Sequence, residues 1–347
     1  MSSGSNSVSG VIGALWRRVV CRLRPTRHER SVRDVRAESN PGLADYEKIE
    51  LVWHPYLMRL CQPNAKTPSA ATDALGFRHT CHRGVPLSYA EYRQSEDSSV
   101  LLGNSAAFGV GASSDEAAIS SQLASVTDGP WYNLSGRAFN QLQDVLTLLL
   151  FGAAKHRNIV VLSGINDLLF ALHFPTADPF TPMFWGQDRF LAWGNPGATP
   201  AASPVSLEER YRYALDGIDR SLLLLARYAE NRANVLYALQ PLLAWTDKPL
   251  HPNEAEVCRQ WDALQTGFRT IHRPEIVLPW KDRFSRDAET LCRKHAIRFV
   301  DLNRQPELCT AEHLFVDRIH LSDRGQRVVA EIIGRCLQSA GMEAASF

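Results

Sequence analysis

From Ser98 onward, two spacings of apolar positions alternate along the chain. Short, nearly continuous apolar runs read as strands buried on both faces. Longer stretches with apolar residues every three or four positions read as helices covering them. Residues 99–102 form the first predicted strand, ending at Gly103, and residues 115–124 the helix after it. A strand over 131–134 and a helix over 138–151 follow. The β-branched run 158–162 predicts a buried central strand. Ser206 with Glu209 forms a capping box that opens a long helix to about residue 230. A strand over 234–239, helices over 254–271 and 285–295, and a last strand over 298–302 come next. Ser322 then caps a terminal helix to about residue 337. This alternation predicts a three-layer α/β/α domain on a mostly parallel sheet.

Other segments break the rhythm. Residues 1–10 are rich in Ser and Gly and predict disorder. The apolar stretch Val11 to Trp16 runs into a series of arginines from Arg17 to Arg36. A signal peptide would carry its charge first, so the order is reversed here. Residues 1–39 therefore read as a solvated basic arm. The alternative is an amphipathic helix making peripheral contact with an anionic membrane. Residues 40–97 form an N-terminal extension, 98–340 the main domain and 341–347 a tail. Within the domain, residues 170–205 form an insert rich in Phe, Trp, Pro and Gly, and an insert that long predicts a function of its own.

The chain has 347 residues, 45% of them apolar, enough for one large α/β domain or two smaller ones. A net charge of +1 lacks the basic excess of a nucleic-acid binder. No apolar run is long enough to cross a membrane. The seven cysteines are scattered and without CxxC spacing, which predicts no disulfide framework and a reducing, cytoplasmic setting. His79, Cys81 and His82 resemble half of a metal site, but no second ligand pair has matching spacing. The expectation is no metal and no cofactor.

Four short pieces carry candidate chemistry. Gly103-Asn104-Ser105 follows the first strand, so the serine would project from the carboxyl edge of the sheet. Asn133-Leu134-Ser135-Gly136 ends the second strand, where a glycine N–H can meet a developing oxyanion. Ser163-Gly164-Ile165-Asn166-Asp167 ends the central strand, where the Asn166 amide can add another donor. Asp317-Arg318-Ile319-His320 precedes the terminal helix, and there a carboxylate can fold back onto a histidine Nδ1. Each piece alone also fits a turn or a helix cap. Together they offer a nucleophile, a base, an orienting acid and oxyanion donors on one sheet edge, which an unactivated serine hydroxyl needs.

These motifs resemble the SGNH/GDSL hydrolase family, over roughly residues 73–340. The resemblance implies Ser105 as nucleophile, with its own N–H, Gly136 and Asn166 as the oxyanion hole, and Asp317 and His320 as acid and base. Asp73-Ala74-Leu75-Gly76-Phe77-Arg78 is similar to the family's lead-in to the first motif, and His320-Leu321-Ser322-Asp323-Arg324-Gly325 to its last. A fainter resemblance is to SGNH-like proteins beside bacterial secondary-metabolite genes, some labelled inducers of phenazine production. One position departs from the family pattern, with Asn104 where the family has Asp. The implied fold is flavodoxin-like. The implied activity is hydrolysis of a small or medium acyl ester through an acyl-serine. Acyl transfer by the same residues is the alternative, and a non-catalytic ligand-binding or regulatory protein on this fold is a third. The insert begins just after Asn166, so Phe184, Trp185 and Trp193 are expected to line a substrate pocket; a cover for the sheet and a dimer contact are the other readings of that patch.

Overall fold

The computed structural model describes residues 41–173, 205–262 and 272–344. The basic arm, most of the aromatic insert with Phe184, Trp185 and Trp193, residues 263–271, and residues 345–347 lie outside the described residues. The extension opens with helix α1 (Pro41–Glu47) and a hairpin of β1 (Leu51–His54) and β2 (Met58–Cys61). A second hairpin of β3 (Cys81–His82) and β4 (Val85–Pro86) and helix α2 (Tyr89–Gln94) complete it.

The main sheet comprises β5 (Ser99–Gly103), β6 (Trp131–Asn133), β7 (Asn158–Ser163), β8 (Asn234–Leu239) and β9 (Arg298–Asp301). All neighbours pair in parallel, in the order β6-β5-β7-β8-β9. Where the sequence pattern predicted a mostly parallel sheet, every strand of this one is parallel, in a flavodoxin-like order. Alternate residues serve opposite faces, as the two-residue repeat of a strand requires. Val100, Leu102, Ile159, Val161 and Tyr237 belong to one core and Leu101, Val160, Leu162 and Leu236 to the other.

The second of these cores packs against α3 (Ser105–Phe108), α4 (Ile119–Val126) and α11 (Asp323–Ala344). On the opposite face lie α5 (Gln141–Phe151), α6 (Ile165–His173), α7 (Leu207–Ala229), α9 (Pro274–Val277) and α10 (Lys281–Lys294). Helix α8 (Pro252–Asp262) precedes α9.

Several boundaries differ from the sequence expectation. Helix α4 begins at Ile119, not 115, because the Asp115 carboxylate is held by the Ala71 N–H and the Arg78 guanidinium. Helix α5 begins at Gln141, not 138. Ala138 has φ +55°, outside the helical region, and Asn140 forms a capping box with Gln143. Helix α10 starts at Lys281, four residues early, and buries Phe284. Helix α11 runs into the predicted tail.

The extension is fused to the domain and is not a separate layer. Leu43, Tyr46, Ile49 and Cys61 share a cluster with Phe108, Val110 and Val316. Arg78, 1% exposed, spends its guanidinium on backbone beside the first motif. It donates to the carbonyls of Gly109 (2.6 Å), Ser69 (2.7 Å) and Ser114 (2.9 Å), and to Asp115 (2.9 Å). Glycine 109 is the C-cap of α3, so Arg78 finishes the helix that Ser105 begins.

A buried ion pair shapes the loop before α11. Lys248 and Glu254 both have side chains with no exposure. The Glu254 carboxylate also accepts N–H groups from His251, Leu314 and Phe315, each at 2.9 Å. Lys248 Nζ donates to the Glu312 carbonyl at 3.0 Å. Glu254→Ala strands the ammonium and these N–H groups. It should cost about 3–5 kcal/mol, the usual penalty for breaking a buried pair, read from urea unfolding. A loss below about 1 kcal/mol, the range of exposed pairs, would show that the pair does not anchor this loop.

Candidate active site

The four sequence pieces meet at the carboxyl edge of the sheet. Asn104 leaves β5 in an extended conformation and caps α3, its Oδ1 accepting the Ala106 N–H at 3.0 Å. Ser105 is thereby the first residue of the helix. Its N–H is one of the donors that a helix start leaves without an intrahelical partner.

Asp317 and His320 sit at the tip of a small hairpin. Phe315 bridges Leu321, and the Val316 N–H donates to the His320 carbonyl at 2.9 Å. Within this tip, Asp317 Oδ1 accepts the N–H groups of Ile319 (2.9 Å) and His320 (2.8 Å), the Asx-type turn that short acidic side chains favour. Its Oδ2 faces His320 Nδ1 at 2.7 Å, and His320 Nε2 faces Ser105 Oγ at 2.9 Å. An ionised carboxylate only accepts, so Nδ1 carries the ring proton and Nε2 accepts from the serine hydroxyl. Asp317 is 2% and His320 6% exposed, so this line of hydrogen bonds is largely shielded from water. The close approach of hairpin and helix depends on Gly111, where a Cβ would lie 2.4 Å from the Leu321 carbonyl oxygen.

The two further oxyanion candidates fare differently. Asn166 is buried at the start of α6, and its Nδ2 donates to the Phe139 carbonyl at 2.7 Å. One hydrogen of that amide is thus engaged and a second remains to donate. Gly136 requires a correction. Its N–H donates to the Gly103 carbonyl at 3.0 Å, prolonging the β5–β6 pairing, and is committed to the sheet. Glycine is needed there for another reason: a Cβ would sit 2.2 Å from the Phe139 ring. The residue therefore lets Phe139 close over the strand end, and the Phe139 carbonyl in turn holds Asn166.

Two site residues escaped the sequence reading. Gln240 directly follows β8 and is 2% exposed. It accepts from Asn104 Nδ2 at 2.7 Å and donates to the Ile319 carbonyl at 3.2 Å. Asn303 supports it, donating to the Gln240 carbonyl at 3.1 Å and accepting the Leu242 N–H at 2.8 Å. The available signal was position, a polar residue at a strand's carboxyl end. Among the described residues, no group of three or more His, Cys, Asp or Glu side chains is placed to hold a metal ion. Nor, among those residues, is any helix long and apolar enough to cross a membrane.

No protein-family model matches the chain, and no curated protein matches it. Solved structures do. An extracellular lipase from Streptomyces rimosus matches at 16% identity and a TM-score of 0.40, over 67% of this chain and 95% of that one. A phospholipase A1 from Streptomyces albidoflavus matches at 15% identity and a TM-score of 0.38, over 66% and 94%. A carbohydrate esterase family 2 enzyme from Corynascus thermopiles matches at 10% identity and a TM-score of 0.43, over 82% and 80%.

Two carboxyl groups lie in the first turns of α5 and α6. Asp167 accepts the Gln141 N–H at 3.2 Å, and burial pushes it up to about 7. Asp144, fully buried in the first turn of α5, is raised well above the usual carboxylate range by burial, and the neighbouring Asp167 adds to this. A carboxyl raised in the folded state holds a proton that the unfolded chain has lost. Its contribution to stability is complete below the unfolded value, about 4, and disappears as pH rises through the folded value. Asp144→Asn removes that loss. The urea midpoint of Asp144→Asn minus that of the wild type should therefore grow as pH rises from about 4 to 8, and a difference constant with pH would refute the assignment.

Proposed function

We propose that the chain is a serine-dependent ester hydrolase working through an acyl-serine intermediate. The observation that carries this reading is the unbroken hydrogen-bond line from Asp317 through His320 to Ser105. Asp317 holds the tautomer in which Nε2 is free to accept a proton and offsets the charge on the imidazolium that forms. Ser105 Oγ attacks the ester carbonyl carbon as its proton passes to His320 Nε2. The carbonyl π electrons move to oxygen, and the Ser105 N–H and the second Asn166 amide hydrogen are the donors for that oxyanion.

Collapse of the tetrahedral species expels the alkoxide, which takes the proton from His320 and leaves as the alcohol. Water then attacks the acyl-serine. His320 takes the water proton and returns it to Ser105 Oγ as the acid departs. Every proton thus passes through one imidazole nitrogen.

An alkyl fluorophosphonate should label the wild type and leave a folded Ser105→Ala variant unlabelled. Labelling of that variant would move the nucleophile elsewhere. Asn166→Ala should lower kcat on p-nitrophenyl esters by about 10²–10³ with KM little changed, the size expected for one oxyanion donor. A change confined to KM would make Asn166 a binding or structural residue instead.

A further inference from the structure

The nucleophile and its base stand on different parts of the chain, and a short polar relay joins those parts. At one end is the Ala106 N–H of the serine-bearing helix, which can only donate. At the other is the Ile319 carbonyl of the base hairpin, which can only accept. Between them lie Asn104, wholly buried, and Gln240, 2% exposed. Ala106 N–H donates to Asn104 Oδ1 at 3.0 Å, Asn104 Nδ2 to Gln240 Oε1 at 2.7 Å, and Gln240 Nε2 to the Ile319 carbonyl at 3.2 Å. The two fixed ends leave a single polarity for the amides between them. Each intermediate must accept on one side and donate on the other, which a carboxamide does and an ionised carboxylate cannot.

We propose that Asn104 and Gln240 are a pair of positioning residues whose one-way hydrogen-bond relay holds Ser105 in register with His320. This rests on the reading of Ser105 as nucleophile. It explains why position 104 bears an amide here. A carboxylate at 104 would keep the Ala106 bond but turn its second oxygen against Gln240 Oε1. Rotating the Gln240 amide would only move the conflict, setting its oxygen against the Ile319 carbonyl. A carboxylate at 240 produces the same clash at Ile319. Both clashes vanish when the introduced carboxyl is protonated, because its O–H can then donate. Neither amide touches the reacting atoms. Asn303 fixes the Gln240 main chain, so the relay is anchored at a strand end and does not drift with a loop.

The test compares Asn104→Asp, Gln240→Glu and Gln240→Met with the wild type by the second-order rate of fluorophosphonate labelling, each variant first checked for a cooperative thermal transition. At about pH 8.5 the two carboxylate variants should label on the order of 10–100-fold more slowly, the scale of a small misplacement at a reacting centre. The ratio to wild type should recover toward one by about pH 6, since burial raises an introduced carboxyl into that range. The native titratable groups beside the relay are Asp317 and His320 in the hairpin and Asp301, which binds Asn303. All three remain in every variant and cancel in the ratio.

Gln240→Met cannot donate to the Ile319 carbonyl and accepts only weakly through its sulfur, so it should be slow at every pH. Should the carboxylate variants not fold, Gln240→Met decides alone, and labelling at the wild-type rate would overturn the relay. So would a loss in the carboxylate variants that is equal at both pH values, or no loss at all, while Ser105 itself stands. A wild type that does not label would overturn both the nucleophile assignment and the relay that depends on it.

Discussion

The organisation of this protein follows from burying a parallel sheet on both faces. Strand backbone is satisfied by its neighbours, and polar groups are freed only where strands end. After β5 the chain turns to the face of α3, α4 and α11, and after β7 to the face of α5, α6 and α7. The two departures separate at the boundary between β5 and β7, where strand order reverses, the place at the carboxyl edge where open α/β sheets hold their sites. Ser105 begins the helix after β5 and Asn166 lies in the first turn of the helix after β7. The hairpin carrying Asp317 and His320 precedes α11, which packs on the same face as the helix that Ser105 begins.

Much of this was legible in the residues. Strand positions followed from apolar runs, because a strand buried on both sides has few alternatives in composition. Ser105, Asp317 and His320 were singled out by spacing, sheet position and family resemblance, and the structure brings the three into one hydrogen-bonded line; local chain geometry suffices for the Asp317–His320 contact. What remained hidden depended on contacts distant in sequence. Gly136 was assigned an oxyanion role from its position and the family resemblance, yet its N–H is taken by Gly103 and the place of a Cβ by the Phe139 ring. The start of α4 was misplaced because Asp115, a good helix opener by composition, is held by Arg78 from the extension. The start of α5 had a readable signal in Asn140 and Gln143, which the apolar pattern upstream obscured. Gln240 and Asn303 are unremarkable as letters and acquire meaning only when β8 and β9 lie side by side.

The polar interior is organised around backbone carbonyls and N–H groups more than around pairs of side chains. Arg78 gathers three loop carbonyls, Glu254 gathers three N–H groups, and Asp317 gathers two. Each charge is buried where irregular chain would otherwise leave polar groups unpaired, so burial and local shape reinforce one another. The extension belongs to this scheme. Through Arg78 it closes the end of a four-residue helix too short to persist unaided.

The separation of Ser105 from His320 along the chain also bears on how the proposed site is assembled. Ser105 and His320 are 215 residues apart. At ribosomal rates of about 5–20 residues per second, a growing chain carries the serine for roughly 10–40 s before its histidine exists. Throughout that interval Ser105 lacks the partner that faces its hydroxyl in the folded chain. The hydrogen-bonded line therefore comes into being with the closing hairpin and the last helix, when the sheet beneath it has already been synthesised. On the proposed reading of this site, completion of the fold is itself the activating event.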